Sequence, residues 1–339
     1  MRLTFSTIAR QLLLAILLIA MLLLVSACQI GVKTSSSSFS LAVIPDTQNY
    51  IDFRHQKADG YNLDSSALFI DQMRYLAANS VNNGGDIAFV TSVGDVWQHQ
   101  TKTMDPFHQG RGFKIEPDPI LARKAKRTEE VLSVELPTAI EGYRIISDAG
   151  LPFGVAPGNH VYDAAWSVAG YPPNREKKFS LLENTVKDLG ILHIGGLDNF
   201  RTVFGENTEF FKNKPWYVDS FKGGANSAQK FSAGGYSFLH LALEMQPGDN
   251  VIAWAESVIS SYPGLPTILT THDYQNSDGS RLPNSLIDLA KIDPKTHNSA
   301  QQLWDKLISK NNQIFLVLCG HQRGQSFRVN RNNFSNPVY

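Results

Sequence analysis

Short apolar runs in this 339-residue sequence lead five times into residues that bind metal ions or move protons. The run at 39–45 leads into Asp46-Thr47-Gln48, 86–93 into Gly94-Asp95, 153–156 into Gly158-Asn159-His160, 266–270 into Thr271-His272, and 314–319 into Gly320-His321. Taken singly, each is ordinary: an Asp after a strand commonly caps a helix, and a His there is commonly a satisfied polar residue. Together they gather carboxylate, carboxamide and imidazole groups, the donor set that divalent cations take from proteins. Glycine before several of them lets the backbone turn sharply beside an ion.

The elements that must position these groups read as α/β. Residues 39–45 form an expected buried strand, 64–81 a helix with apolar Leu68, Met73 and Leu76, and 86–93 a second buried strand, a βαβ opening. Further apolar runs lie at 153–156, 236–243, 266–270 and 314–319, with helical patterns at 128–147 and 298–310; 325–329 reads as a late strand. Ligands of open α/β sheets sit beyond the carboxyl ends of the strands, which is where the polar residues collect. Residues 97–123 and 162–235 look like insertions that shape substrate access, or whose Trp166, Tyr171, Trp216 and Tyr217 fill a local mini-core.

Composition sets outer bounds. With 42% apolar residues the chain can bury a core, which excludes disorder throughout, and 31 basic against 31 acidic residues give no net field to recommend nucleic acid as a partner. At the N-terminus Arg2 and Arg10 precede an apolar run at 12–25 that ends in Ser26-Ala27-Cys28. That arrangement reads as an export signal and resembles the lipobox of bacterial lipoproteins, which implies lipidation of Cys28. An uncleaved membrane helix is the alternative. The expected organisation is a signal peptide at 1–27, a Ser-rich tether at 28–38 and one domain at 39–339, either native or truncated at its C-terminus, held on a membrane outside the cytoplasm, with Gln29 pointing toward an outer membrane. Only Cys319 remains besides Cys28, so no disulfide staples the domain.

The ordered strand-end motifs resemble those of the calcineurin-like metallophosphoesterases, DxH, GD, GNH, a lone His and GHxH, over nearly all of the exported chain. The resemblance implies an α/β fold, a β-sandwich of two mixed sheets flanked by helices, and two divalent ions (Mn, Fe or Zn) where the loops converge. Asp46 and Gln48 would serve the first ion, Asp95 would bridge, and Asn159, His272 and His321 would serve the second. A metal-bound hydroxide would attack a phosphomonoester or phosphodiester, with His160 as acid. Val161 stands where an acidic residue is usual, so Asp163 either orients His160 or forms a turn.

Two departures fall on the first ion: Gln48 replaces the family histidine, and Arg323 stands where the second histidine of GHxH belongs. Arg323 then holds substrate phosphate in place of a missing ion, or Gln98 or neighbouring His99 completes the site, or Arg323 lies on the surface beside a depleted site. A catalytically impaired metal-binding envelope lipoprotein is the alternative to a hydrolase. Among the other candidates, His240 and His193 are expected in the core, His55, His108 and His297 in solvent, and Cys319 as a packed hydrophobe. Asp273 is expected either beside the metal ligands or exposed.

Overall fold

The structure, a computed structural model, describes residues 38–48, 50–52, 57, 60, 62–98, 106–110, 131–163, 165–167, 191–193, 195–281, 289–322 and 324–339. Cys28, His99 and Arg323 lie outside them, as do His55 and the side chains of His108 and His193.

The chain opens as β1 (Ser40–Ile44), α1 (Ser65–Ala78), β2 (Ile87–Ser92), α2 (Leu136–Asp148) and β3 (Phe153–Val155). Helical crossovers return each strand in the same direction, giving a parallel three-stranded sheet ordered β1-β2-β3. Asp64 starts α1 by accepting from the backbone N–H groups of Ser66 and Ala67. The helix buries Phe69, Ile70, Met73 and Ala77. Leu68, expected on that face, is exposed because the stripe runs one position further along.

After a short antiparallel pair, β4 (Ala165–Ser167) with β5 (Ile191–His193), comes α3 (Asp198–Phe204). Then β6 (Tyr217–Phe221), β7 (Asn226–Ala233), β8 (Tyr236–Ala242), α4 (Asp249–Ser261), β9 (Thr267–Thr270), α5 (Ala300–Leu303) and β10 (Ile314–Leu318) build a five-stranded mixed sheet ordered β10-β9-β8-β7-β6. A last antiparallel pair joins β11 (Asn330–Arg331) to β12 (Pro337–Val338). The expectation of two mixed sheets is therefore corrected for one of them: among the described residues the first sheet is wholly parallel, because helices make its connections. Residues 162–235 were expected to be an insertion, yet they supply β6 and β7. Residues 325–329 are not a strand; Phe327 and Val329 are exposed, so their alternation finds no sheet to face.

The two sheets pack face to face. Phe89 of β2 stacks on Phe231 of β7 with ring centroids 4.5 Å apart, and Phe238 and Ile268 complete that layer. On the outer face of the parallel sheet, α1 and α2 bury Met73, Tyr143 and Ile146 against Val90 and Phe153. On the outer face of the mixed sheet, α4 and the turn at Trp304–Ile308 bury Val251, Val258 and Leu307 against Leu239 and Leu269. Trp216 and Tyr217 pack with Phe153 and Phe211, so of the expected alternatives for these two residues the mini-core is the one seen.

A polar cross-link runs through the layer between the sheets. His240 of β8 donates from Nδ1 to Gln229 Oε1 at 2.7 Å, while its Nε2 lies 3.0 Å from the Thr91 hydroxyl and 2.9 Å from the Thr270 hydroxyl. Burial pushes the His240 pKa down to about 3. The folded state thus keeps the ring neutral while the unfolded chain takes up a proton below about pH 6.5, so stability is whole above that pH and falls as the pH drops toward 3. The expected loss is about 2 kcal/mol between pH 6.5 and 5 from this residue alone. Urea titrations at both pH values should show it, and His240→Gln should flatten the slope; an unchanged slope would remove His240 as its source.

Candidate metal centre

All five chemistry-bearing segments follow strand ends: Asp46 after β1, Asp95 after β2, Asn159 and His160 after β3, His272 after β9 and His321 after β10. The first three strands belong to one sheet and the last two to the other, so the site lies where both sheets end.

His272 is the hub and is wholly buried. Its Nδ1 donates to the Val93 carbonyl at 2.8 Å, which puts the proton of the neutral ring on Nδ1 and leaves Nε2 as a lone-pair donor. Nε2 lies 3.0 Å from Asp95 Oδ2, 3.0 Å from Asn159 Oδ1 and 3.2 Å from His321 Nδ1. Two oxygens set this close to that lone pair repel it unless a positive charge lies among them. Asp95, His272 and His321 place their ligating atoms within 4.8 Å of one another, a group that could hold a metal ion.

The electrostatics carry the same requirement. Burial alone would lower the His272 pKa, yet the Asp95 and Asp46 carboxylates raise it to about 9, so a proton supplies the central positive charge when no metal does. Burial, with the His272 charge adding, lowers the pKa of His321. Burial would raise Asp95, but His272 and His160 hold it well below the usual carboxylate range. Asp46 is raised by burial against the pull of His272.

Backbone geometry is bent to make this cluster. Asp95 and His321 hold φ of 46° and 66°, left-handed values that are uncommon for residues with side chains. A Cβ on Gly158 would come 2.2 Å from Asp95 Oδ1, and one on Gly320 would come 2.3 Å from Asp46 Oδ1, so both carboxylates sit directly against bare backbone. Asp46 Oδ2 accepts the His321 N–H at 3.0 Å, whereas Asp46 Oδ1 is buried without a hydrogen-bond partner. The Gln98 amide oxygen is likewise buried and unpartnered. Such atoms, buried at a cost unless paired, fit a cation.

The structure therefore brings together Asp46, Asp95, Asn159, His272 and His321. Gln48 lies half-buried in the turn after β1, two residues past Asp46. His160 is placed by two bonds: its backbone N–H donates to Asp95 Oδ1 at 2.8 Å, and its Nδ1 donates to the Gln98 carbonyl at 3.1 Å. That carbonyl leaves no side-chain signal in a sequence and was not foreseen.

Asp163 has a structural partner elsewhere. Its carboxylate accepts from the backbone N–H groups of Asp198 at 2.6 Å and Asn199 at 3.0 Å, and from the Asn199 amide, capping α3 from a distant loop. Asp163→Ala is expected to cost about 1–2 kcal/mol in denaturant titration, the usual loss of a cap, with any turnover unchanged. A large fall in kcat at unchanged stability would return Asp163 to the role of orienting His160.

Asp273, beside His272, accepts from the amides of Gln246 at 3.1 Å and Gln322 at 3.4 Å, tying the two histidine-bearing loops to each other. His297, expected in solvent, is buried, and its Nδ1 donates to the Gln246 carbonyl at 3.0 Å. Cys319 is half-buried against the mixed-sheet core. No protein-family model matches the chain, and no curated protein matches it.

Proposed function

We propose that the chain is a metal-dependent phosphoesterase of the calcineurin-like type, hydrolysing a phosphomonoester or a phosphodiester. The observation that carries this reading is the convergence on His272 Nε2 of the Asp95 and Asn159 oxygens and the His321 ring Nδ1, drawn from separate strand ends of two sheets. The packed sheets flanked by helices are read as the metallophosphatase-type sandwich.

Asn159, His272 and His321, with Asp95, would hold one ion, and Asp46 Oδ1 and the Gln98 amide oxygen are the buried acceptors for a second. A bound divalent ion supplies Lewis acidity, lowering the pKa of water and offsetting charge on phosphoryl oxygens. His160, with Nδ1–H given to Gln98, has Nε2 as the nitrogen that carries a proton to the leaving oxygen. Asp95 holds the His160 backbone and the His272 ring at once, so acid and metal ligand keep a fixed relation.

Elemental analysis of bound metal, with Mn²⁺-, Fe²⁺- and Zn²⁺-dependent hydrolysis of p-nitrophenyl phosphate and its bis-ester, tests the proposal. Turnover that disappears on chelation and returns with metal supports it. Metal uptake without turnover of either ester would replace it with a metal-binding envelope protein.

Export and a lipid anchor on Cys28 belong to the same proposal and rest on the sequence of residues 1–28. Among the described residues no helix is long and apolar enough to cross a membrane. Cys28→Ser is expected to move the protein from the membrane to the soluble fraction, because loss of acyl chains removes about 0.8 kcal/mol per buried methylene. Retention in the membrane fraction would favour an uncleaved helix instead.

A further inference from the structure

Beside the loops that carry His272 and His321 lies a cavity of about 190 Å³, and none of the metal-centre residues lines it. Its wall includes Arg281, Arg328, Trp304, Tyr274, Phe327 and Tyr339, and no carboxylate side chain. The Arg281 side chain is buried, with its guanidinium 4.4 Å from the Trp304 ring centroid and 5.8 Å from that of Tyr274. Its side-chain bonds go to neutral groups, Asn330 Oδ1, Gln301 Oε1 and the Tyr274 hydroxyl. Arg328 donates to the Gly279 carbonyl. Among the described residues neither arginine has a carboxylate within ion-pair distance, and Asp305 bears on Arg281 only from beyond that range. Burial, with the Arg328 charge adding, lowers the Arg281 pKa, as expected of two cations that share a wall.

The lip of the cavity is aromatic. Phe327, 75% exposed, stacks at 6.2 Å and 25° on Tyr339, itself 46% exposed. A cationic wall with a flat apolar lip calls for a ligand of matching parts. We propose that this cavity binds a small aryl phosphate or phosphonate, its dianionic head held by Arg281 and Arg328 and its ring laid on Phe327, at a site separate from the metal centre. Two guanidinium groups suit a dianion, and arginine forks match tetrahedral oxyanions. The aromatic lip supplies the contact that inorganic phosphate lacks.

Titration calorimetry on the full chain, stripped of metal by chelation, tests this with phenylphosphonate as probe and inorganic phosphate and benzoate as comparisons. Phenylphosphonate should bind saturably and more tightly than either. Arg328→Ala, an exposed change that leaves the core intact, should weaken it about tenfold, the loss expected of one charge-assisted contact. Phe327→Ala should weaken phenylphosphonate and leave inorganic phosphate unchanged, and His321→Ala should alter neither. Absence of saturable binding, equal affinity in Arg328→Ala, or loss of binding in His321→Ala would overturn the proposal. Because the protein is metal-free here, that result is independent of whether the metal centre turns over esters.

Discussion

Asp95→Asn is expected to abolish both metal uptake and phosphoester turnover while leaving the domain folded. The carboxylate is buried, lies 3.0 Å from His272 Nε2 and accepts the His160 backbone N–H at 2.8 Å. Asparagine keeps an acceptor for that N–H and nearly the same volume, so packing is spared. What it loses is the negative charge that offsets a dication inside protein, where unpaired charge is costly. Metal catalysis contributes several kcal/mol of charge stabilisation, and each 1.36 kcal/mol is tenfold in rate, so turnover should fall by about 10³-fold or more. Elemental analysis and the bis-ester assay on the same preparation check both halves. Normal metal content with normal turnover would show that the cluster around His272 is not where the chemistry occurs.

His160→Ala is expected to separate proton transfer from metal binding. His160 is absent from the trio of close-set ligand atoms, and its ring is held by the backbone carbonyl of Gln98, so its loss should leave metal content unchanged. Turnover should fall by roughly 10²- to 10⁴-fold, the usual contribution of a positioned acid. The penalty should depend on the leaving group. A nitrophenolate departs without a proton, whereas an alkoxide needs one, so the variant should lose far more activity on an alkyl phosphoester than on p-nitrophenyl phosphate. Equal losses on both esters would assign His160 to positioning and remove it as the acid.

Much of this site could be read from sequence because each component is a side chain with distinctive chemistry directly after an apolar strand. Asp46, Asp95, Asn159, His272 and His321 needed only the rule that polar residues at strand carboxyl ends converge. β6 and β7 were hidden for a physical reason: β7 buries Asn226, Ser227 and Gln229, so neither an apolar run nor clean alternation marks it. Those polar groups are tolerated because His240 bonds Gln229, Gln229 bonds Ser227 and Glu244 bonds Asn226, contacts that exist only in the assembled sheet. Residues 325–329 failed in the opposite sense, showing alternation without a partner strand. Asp163 illustrates a third limit, since two carboxylate roles at the same position differ only in which distant backbone comes near.

The contact of His240 with Thr91 and Thr270 has one more consequence. Thr91 lies four residues before Asp95, and Thr270 two before His272, so the polar cross-link sits at the root of both loops that meet at the candidate metal centre. Sliding one sheet over the other would have to break buried hydrogen bonds with no water to replace them, whereas apolar contacts alone would let the layers creep. The spacing between Asp95 and His272 is thus gauged from inside the protein, like the jaw opening of a vise set by its own frame.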